Sequence, residues 1–437
     1  MIGKLISALF SFKGLYVAFV IAIVFYGQVR MMFGLTPRHI AIAVMWIACI
    51  RSGLPFPMGR VMKTYLLFVL SFIVSATLTG HLSQLLITYY IAACIGYWAT
   101  KILVTKYKDG KLLLKTIIVL GFVNAIVTIG QTLNMPLADR VVSLLHLELP
   151  EKYLAKLAAE EGEKSLLFTR PGLFNSAVYN GYFHMTAGVT ALLLLARRIN
   201  LVNVAPWLII SIGTICVQER SPIAILIVLS LFGFYKLFTT QKHRKLKMFA
   251  VAAFLSITYG VQWMYTSALE EDRLEELDAG ARTSLDVSDE VDDLYSVATK
   301  GRFAQIGFED TGRGDIYEQT IDYLMDHPYI GGYHRFARMY RTAPHNLFLN
   351  AFIYGGFVGG FAILLILLWQ VKPLWRVLRR KIAHTNPVCF FAGLAYLSFT
   401  LNSLVHNRSI VTGDEFLWML WAVFYYEYRK YFTTPRL

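Results

Sequence analysis

Residues 345–369 read HNLFLNAFIYGGFVGGFAILLILLW, with no Asp, Glu, Lys or Arg among them. A helix rises about 1.5 Å per residue, so about 20 such residues cross the roughly 30 Å hydrocarbon layer of a bilayer. Comparable apolar runs recur at 14–33, 36–50, 61–80, 83–104, 112–133, 177–196, 201–217, 222–239, 246–264, 388–405 and 414–431. At about 20 residues each, twelve spans consume roughly 240 positions of a 437-residue chain. Composition agrees: 56% of residues are hydrophobic and 16% charged, where soluble domains carry about 25% charged residues. The predicted fold class is an all-α polytopic membrane protein. It has about twelve transmembrane helices and one sizeable, mainly helical periplasmic loop domain. In chain order these are helices 1–5 (1–133), a first periplasmic loop (134–176), helices 6–9 (177–264), a large periplasmic loop domain (265–344) and helices 10–12 (345–437).

The net charge of +14 would suggest nucleic acid in a soluble chain. Here topology accounts for it. With the N-terminus inside, the cytoplasmic side receives 25 of the 42 Lys and Arg residues but only two acids, Asp109 and Glu427. That is the positive-inside pattern, and it leaves no excess charge for a nucleic-acid partner. The chain is then multi-pass, with both termini cytoplasmic. The basic start followed by an apolar run lacks a small-residue cleavage site and reads as an uncleaved first helix. Cys49, Cys94, Cys216 and Cys389 all fall in spans, with no CxxC metal spacing and no disulfide framework.

Two outer segments are long enough for structure of their own. In 134–176, the stretch Glu151–Lys164 has the composition of a short amphipathic surface helix. The larger segment, 265–344, is acidic, and its first half, Glu270 to Asp293, has few aromatic residues and the composition of a mobile chain. Its second half predicts a helix, with Asp315 as cap and Glu318 completing a capping box. Ile316, Tyr317, Thr320, Ile321, Leu324 and Met325 form the apolar stripe, and His327-Pro328 ends it.

The spans hold almost no deep charge. His184 is the one titratable residue near mid-span, and a hydrogen-bonded packing role suits it. The chemistry lies where spans meet the outer face. Spans 6, 8 and 10 point their N-termini outward. Arg170 stands before the first of these, and Arg220 before the second, with Ser221 as N-cap and Pro222 at the first helical position. His345 opens the third. A helix N-terminus offers unpaired N–H groups and about half a positive charge, and an added guanidinium makes it suited to phosphate. The same residues also fit plain interface anchors that snorkel to water. Gly355/Gly359 and Gly356/Gly360 repeat a small-xxx-small spacing that suits close helix packing. His345 has the pKa range of a proton acceptor near neutral pH.

Taken in order, five elements resemble the O-antigen ligase/polymerase superfamily. They are Arg170-Pro-Gly-Leu-Phe-Asn; Arg220-Ser; Gly312-Arg313 opening a loop helix; Pro328-Tyr-Ile-Gly-Gly; and His345-Asn346, nine residues, then Gly356-x-x-Gly359. The resemblance covers about 165–365 in detail. It implies a metal-independent glycosyltransferase of the bacterial inner membrane, without cofactor, acting at the periplasmic face on a glycan carried by undecaprenyl pyrophosphate. His345, Arg220 and Arg313 are then the catalytic candidates, His345 as the base for an acceptor hydroxyl. Arg170, Arg220, Arg313 and Asn346 bind pyrophosphate, Gly356 and Gly359 pack the helix, and no residue binds metal. The acceptor is lipid A–core for a ligase, or a second lipid-linked glycan for a polymerase. The spacing from Arg170 to Gly181 resembles polymerase loops. A flippase also fits twelve spans, but no repeat symmetry or deep charge supports it.

Overall fold

The structure is a computed structural model that describes residues 10–26, 36–80, 82, 84–133, 135–145, 170–174, 176–196, 198, 200–217, 219–238, 313–340, 344, 346–380, 382–406 and 409–432. Among the described residues there are fourteen helices and no strand. They are α1 (Phe12–Phe25), α2 (Pro37–Arg51), α3 (Arg60–Leu78), α4 (Gln84–Thr105), α5 (Gly110–Thr132), α6 (Pro136–Leu144) and α7 (Ala177–Leu195), then α8 (Leu201–Cys216), α9 (Arg220–Phe238), α10 (Arg313–Asp326), α11 (Tyr333–Tyr340), α12 (Leu347–Arg379), α13 (Pro387–Ser403) and α14 (Glu415–Phe432). Short polar side chains start many of them, as orphan N–H groups require. Ser11 accepts from Gly14 N, Asn200 from Asn203 N, Asn386 from Cys389 N and Asp414 from Leu417 N. At α2 the cap is Thr36, and His39 takes the place of the usual Glu in the capping box.

Helices α3, α4, α5, α9 and α12 are long and apolar enough to cross a membrane; α1, α8 and α13 are shorter apolar helices. The run 246–264, the Glu151–Lys164 helix and the acidic stretch Glu270–Asp293 lie outside the described residues. The apolar run quoted first ends at 369, but α12 continues to Arg379. Non-helical backbone at Gly356 divides it, and the part after that break, 357–379, rises about 35 Å, a little beyond one hydrocarbon thickness. Arg376 and Arg379 occupy its last turn, where cations favour the helix dipole, so the helix outlasts its hydrophobicity.

The chain packs as two compact units. One comprises Met1–Val119, Leu192–Arg198 and Asp310–Leu437; the other comprises Leu120–Ala191 and Ile199–Glu309. In the first, α3 packs along α12, α4 and α13 pack on α14, and α2 packs on α1 and α4. Tyr65, Phe68 and Phe72, at i, i+3 and i+7 on α3, form an aromatic seam with Tyr90 of α4 and Trp418 of α14. Polar contacts fasten both ends of this unit. Arg38 of α2 meets Glu415 of α14 at one end. Lys13 of α1 meets Asp109, and Lys106 donates to Ser52 O, at the other. Arg376 donates to the Tyr428 hydroxyl at 3.1 Å, so α12 and α14 run the same way. The start of α12 therefore lies at the Arg38–Glu415 end.

Candidate functional site

In the second unit, α5 carries Asn124, Thr128 and Gln131 at i, i+4 and i+7, and α7 carries Asn180 and His184 at i and i+4. Each set lies on one helix face, and all five side chains are buried. Buried polar groups in apolar helices need partners, and here they find each other and a turn of backbone. Asn124 donates to Asn180 Oδ1 at 2.6 Å and to His184 Nε2 at 2.8 Å. Its own Oδ1 accepts from Leu173 N at 2.7 Å, and Gln131 accepts from Gly172 N at 2.9 Å. Asn180 donates to Arg170 O at 2.9 Å and to Thr128 at 3.0 Å. The Arg170–Phe174 turn is thus seated in a fixed polar layer. A Cβ on Gly172, whose φ is +60°, would come within 2.6 Å of both Asn124 Oδ1 and Thr128 Oγ1, so only glycine fits. The side chain of Arg170 is 1% exposed and lies near Cys216. His184 is fully buried and hydrogen-bonded in this layer.

Arg220 is the first residue of α9 and is exposed. The first helical bond runs from Ile223 N to Glu219 O at 3.3 Å. Glu219, which is buried, therefore holds the cap position that the sequence reading gave to Ser221. Ser221 and Pro222 sit inside the first turn.

In the first unit, Arg313 is the first residue of α10. Asp315 lies in the first turn and is not the cap, because the helix begins two residues earlier; its carboxylate sits near the positive end of the dipole. The buried face of α10 is also rotated from the predicted stripe. Thr320 and Tyr323 are buried, whereas Ile321 and Met325 are 52% and 77% exposed. Tyr323 makes the difference. Its hydroxyl donates to the carbonyls of Gly331 and Gly332 at 3.1 and 3.2 Å, so the ring can bury against Phe336 and Ile353. Burial raises its pKa above 10.0, with Arg335 opposing the shift.

Asn346 caps α12, its Oδ1 accepting from Phe348 N at 2.9 Å and Leu349 N at 3.2 Å. Ten residues on, α12 is broken. Gly356 has φ 59° and ψ −161°, a conformation open essentially to glycine alone. Phe357 N, which would bond Ile353 O in an unbroken helix, donates to Pro328 O at 3.2 Å. Ile353 O accepts from Gly332 N at 2.8 Å. Gly355 O accepts from Ser71 Oγ of α3 at 2.6 Å. The 328–332 loop is thus spliced into the helix ladder. A Cβ on Gly356 would strike Tyr329 O, and one on Gly331 would lie 2.7 Å from Phe352 O. Gly356 therefore serves a break filled by the loop, while Gly355 and Gly359 face Phe68 of α3.

The residues singled out from sequence fall as follows. Arg170 and Arg220 belong to the second unit; Arg313, Asn346, Gly356 and Gly359 belong to the first. His345 and Gly312 lie outside the described residues. Sequence reading missed the polar layer, although its signal was three polar residues at i, i+4 and i+7 in the mainly apolar second half of α5. It also missed the Arg38–Glu415 pair. Arg38 Nη2 stands 2.6 Å from Glu415 Oε2, and the guanidinium lies 4.0 Å from the Tyr89 ring centre. The two residues are 5% and 2% exposed. Among the described residues, no group of three or more His, Cys, Asp or Glu is arranged to hold a metal ion. The sequence matches no known protein-family model and no curated protein.

Proposed function

We propose that the chain is a twelve-span O-antigen ligase of the inner membrane. In this reading it transfers a glycan from undecaprenyl pyrophosphate to a sugar hydroxyl of lipid A–core at the periplasmic face. The observation that carries the reading is the coincidence of motif and helix start. Arg220 begins α9, Arg313 begins α10, and Asn346 caps α12. Each places a motif residue at the electropositive end of a helix, where phosphate oxygens are favoured. The leaving pyrophosphate gains charge in the transition state, and preorganised guanidinium groups stabilise it. In this reading Arg170, whose backbone carbonyl accepts from Asn180, is a further cation for that work. His345, adjacent to the α12 cap in the chain, takes the proton of the acceptor hydroxyl.

The second reading is a polymerase of the same superfamily, favoured by the Arg170–Gly181 spacing. One experiment separates the two. Purified protein is incubated with the host's undecaprenyl-pyrophosphate-linked glycan, with and without lipid A–core. Modified lipid A–core supports ligation. Longer lipid-linked chains without added acceptor support polymerisation. Movement of the lipid-linked glycan across vesicles, with neither product formed, would replace both with transport.

A further inference from the structure

We infer that the loop spliced into α12 is a positioning device that fixes the reacting end of that helix. It is formed by Gly331, Gly332 and Gly356 and locked by Tyr323; the inference rests on the transferase reading above. A continuous helix would satisfy Phe357 N and Ile353 O by itself, with Gly356 in the ordinary α conformation. Instead, the helix opens at Gly356 and two backbone groups of the 328–332 loop take over those bonds. The exchange leaves both groups paired, which buried backbone requires. It also joins two elements that the ordinary helix would leave separate. The nine residues between the Asn346 cap and the break are now held by α10 and α11. Ile353 sits in one core with Tyr323 and Phe336, and Tyr354 stacks near Tyr333 with ring centres 4.2 Å apart.

Two motif residues therefore become mechanically linked. Arg313 heads α10 and Asn346 heads α12. The splice and the Tyr323 core are the contacts by which one is set against the other within this unit. The Tyr323 hydroxyl is the lock, since it grips both carbonyls of the glycine pair whose backbone enters the break. Space admits nothing larger at Gly356, where the loop carbonyl of Tyr329 occupies the position of a Cβ. Displacing a reacting group by about 1 Å can cost about 10²-fold in rate while leaving binding elsewhere intact.

The test compares Gly356→Ala, Tyr323→Phe and Ser71→Ala with wild type in lipid nanodiscs. Ser71→Ala removes a bond to the same stretch of α12 without touching the loop. Four quantities are read: hydrogen-exchange protection of peptides containing Phe357 and Gly332, melting temperature, binding of undecaprenyl pyrophosphate, and single-turnover transfer at saturating donor. Gly356→Ala should expose the Gly332 amide and lower transfer about 10²-fold, a larger loss than that of undecaprenyl pyrophosphate affinity. Tyr323→Phe, which keeps the ring, should shift both readouts in the same direction by less. Ser71→Ala should lower melting temperature alone. Unchanged protection in Gly356→Ala, or lost protection with wild-type turnover, overturns the positioning role. Equal losses of transfer in Ser71→Ala and Tyr323→Phe reduce the splice to general stability and also overturn it. A wild-type protein that transfers no glycan overturns the transferase reading instead, and the protection data still decide whether the loop holds the break.

Discussion

Arg38 and Glu415 leave water together, and that governs what each substitution does. Breaking a buried pair by removing one partner strands a charge and costs about 3–5 kcal/mol, whereas replacing both with apolar residues is close to neutral. Glu415→Ala should therefore lower the detergent melting temperature sharply, and Arg38→Met combined with Glu415→Leu should restore most of it. A single variant as stable as the double would mean that water reaches the pair. For the motif residues the readout is rate. Arg220→Lys keeps charge but loses the planar fork that matches phosphate. Its exposed place at the start of α9 predicts slower transfer with unchanged melting temperature; full activity would reduce Arg220 to an interface anchor. His345→Ala should lose about 10²–10⁴-fold in rate, the usual contribution of a general base, with donor binding kept. Wild-type rate should rise with pH as the imidazole becomes neutral. A rate that falls with pH would make His345 a phosphate-binding cation instead.

At the scale of elements, the helices were legible because apolar runs of spanning length are hard to disguise. The ends were less so. The sequence places the cap of α9 at Ser221 and the cap of α10 at Asp315, and the helices begin earlier, at Arg220 and Arg313. Several residues near an end can serve as caps, and tertiary context chooses. The face of α10 was misjudged for a related reason. Tyr323 looks polar in sequence, and only the two glycine carbonyls facing it make its burial favourable. The break in α12 was invisible, because Gly355-Gly356 fits a packing motif equally well until the loop that fills the gap is seen. The raised pKa of Tyr323 gives this element its own pH signature. A phenol whose folded pKa is above the unfolded one contributes its full stability below pH 10, and that contribution is lost as pH rises beyond 10 toward the folded value. Exchange protection across α10 and α11, corrected for intrinsic rates, should stay flat from neutral pH to about 9.5 and fall above 10. A loss of protection between pH 7 and 9 would point to a different group.

For the whole molecule, topology carries the reading. Within the first unit, Lys106, Lys13, Arg376 and the end of α14 share one end, and Arg38, Glu415 and Asn346 share the other. Three bases, Lys13, Lys106 and Arg376, thus share one end, and Arg38 stands at the other, paired with Glu415. A cysteine placed at Ser288 should react with an impermeant thiol reagent in intact spheroplasts. Labelling only after permeabilisation would invert the chain and remove the outer-face site. Of the native thiols, Cys49, Cys216 and Cys389 are buried and Cys94 half-buried, so the background should be low.

The splice at Gly356 also constrains how the protein is made. Phe357 N and Ile353 O receive partners from Pro328 and Gly332, residues synthesised before α12. A helix entering lipid cannot leave such groups unpaired without a cost of several kcal/mol. As α12 leaves the ribosome and meets the insertion machinery, it therefore either finds 328–332 already on the side where its head will come to rest, or inserts first as an unbroken rod. In the second case it must later open at Gly356 to admit the loop. Translocation of the preceding loop and the final shape of α12 are thereby tied in time, and a delay in the one is written into the backbone of the other.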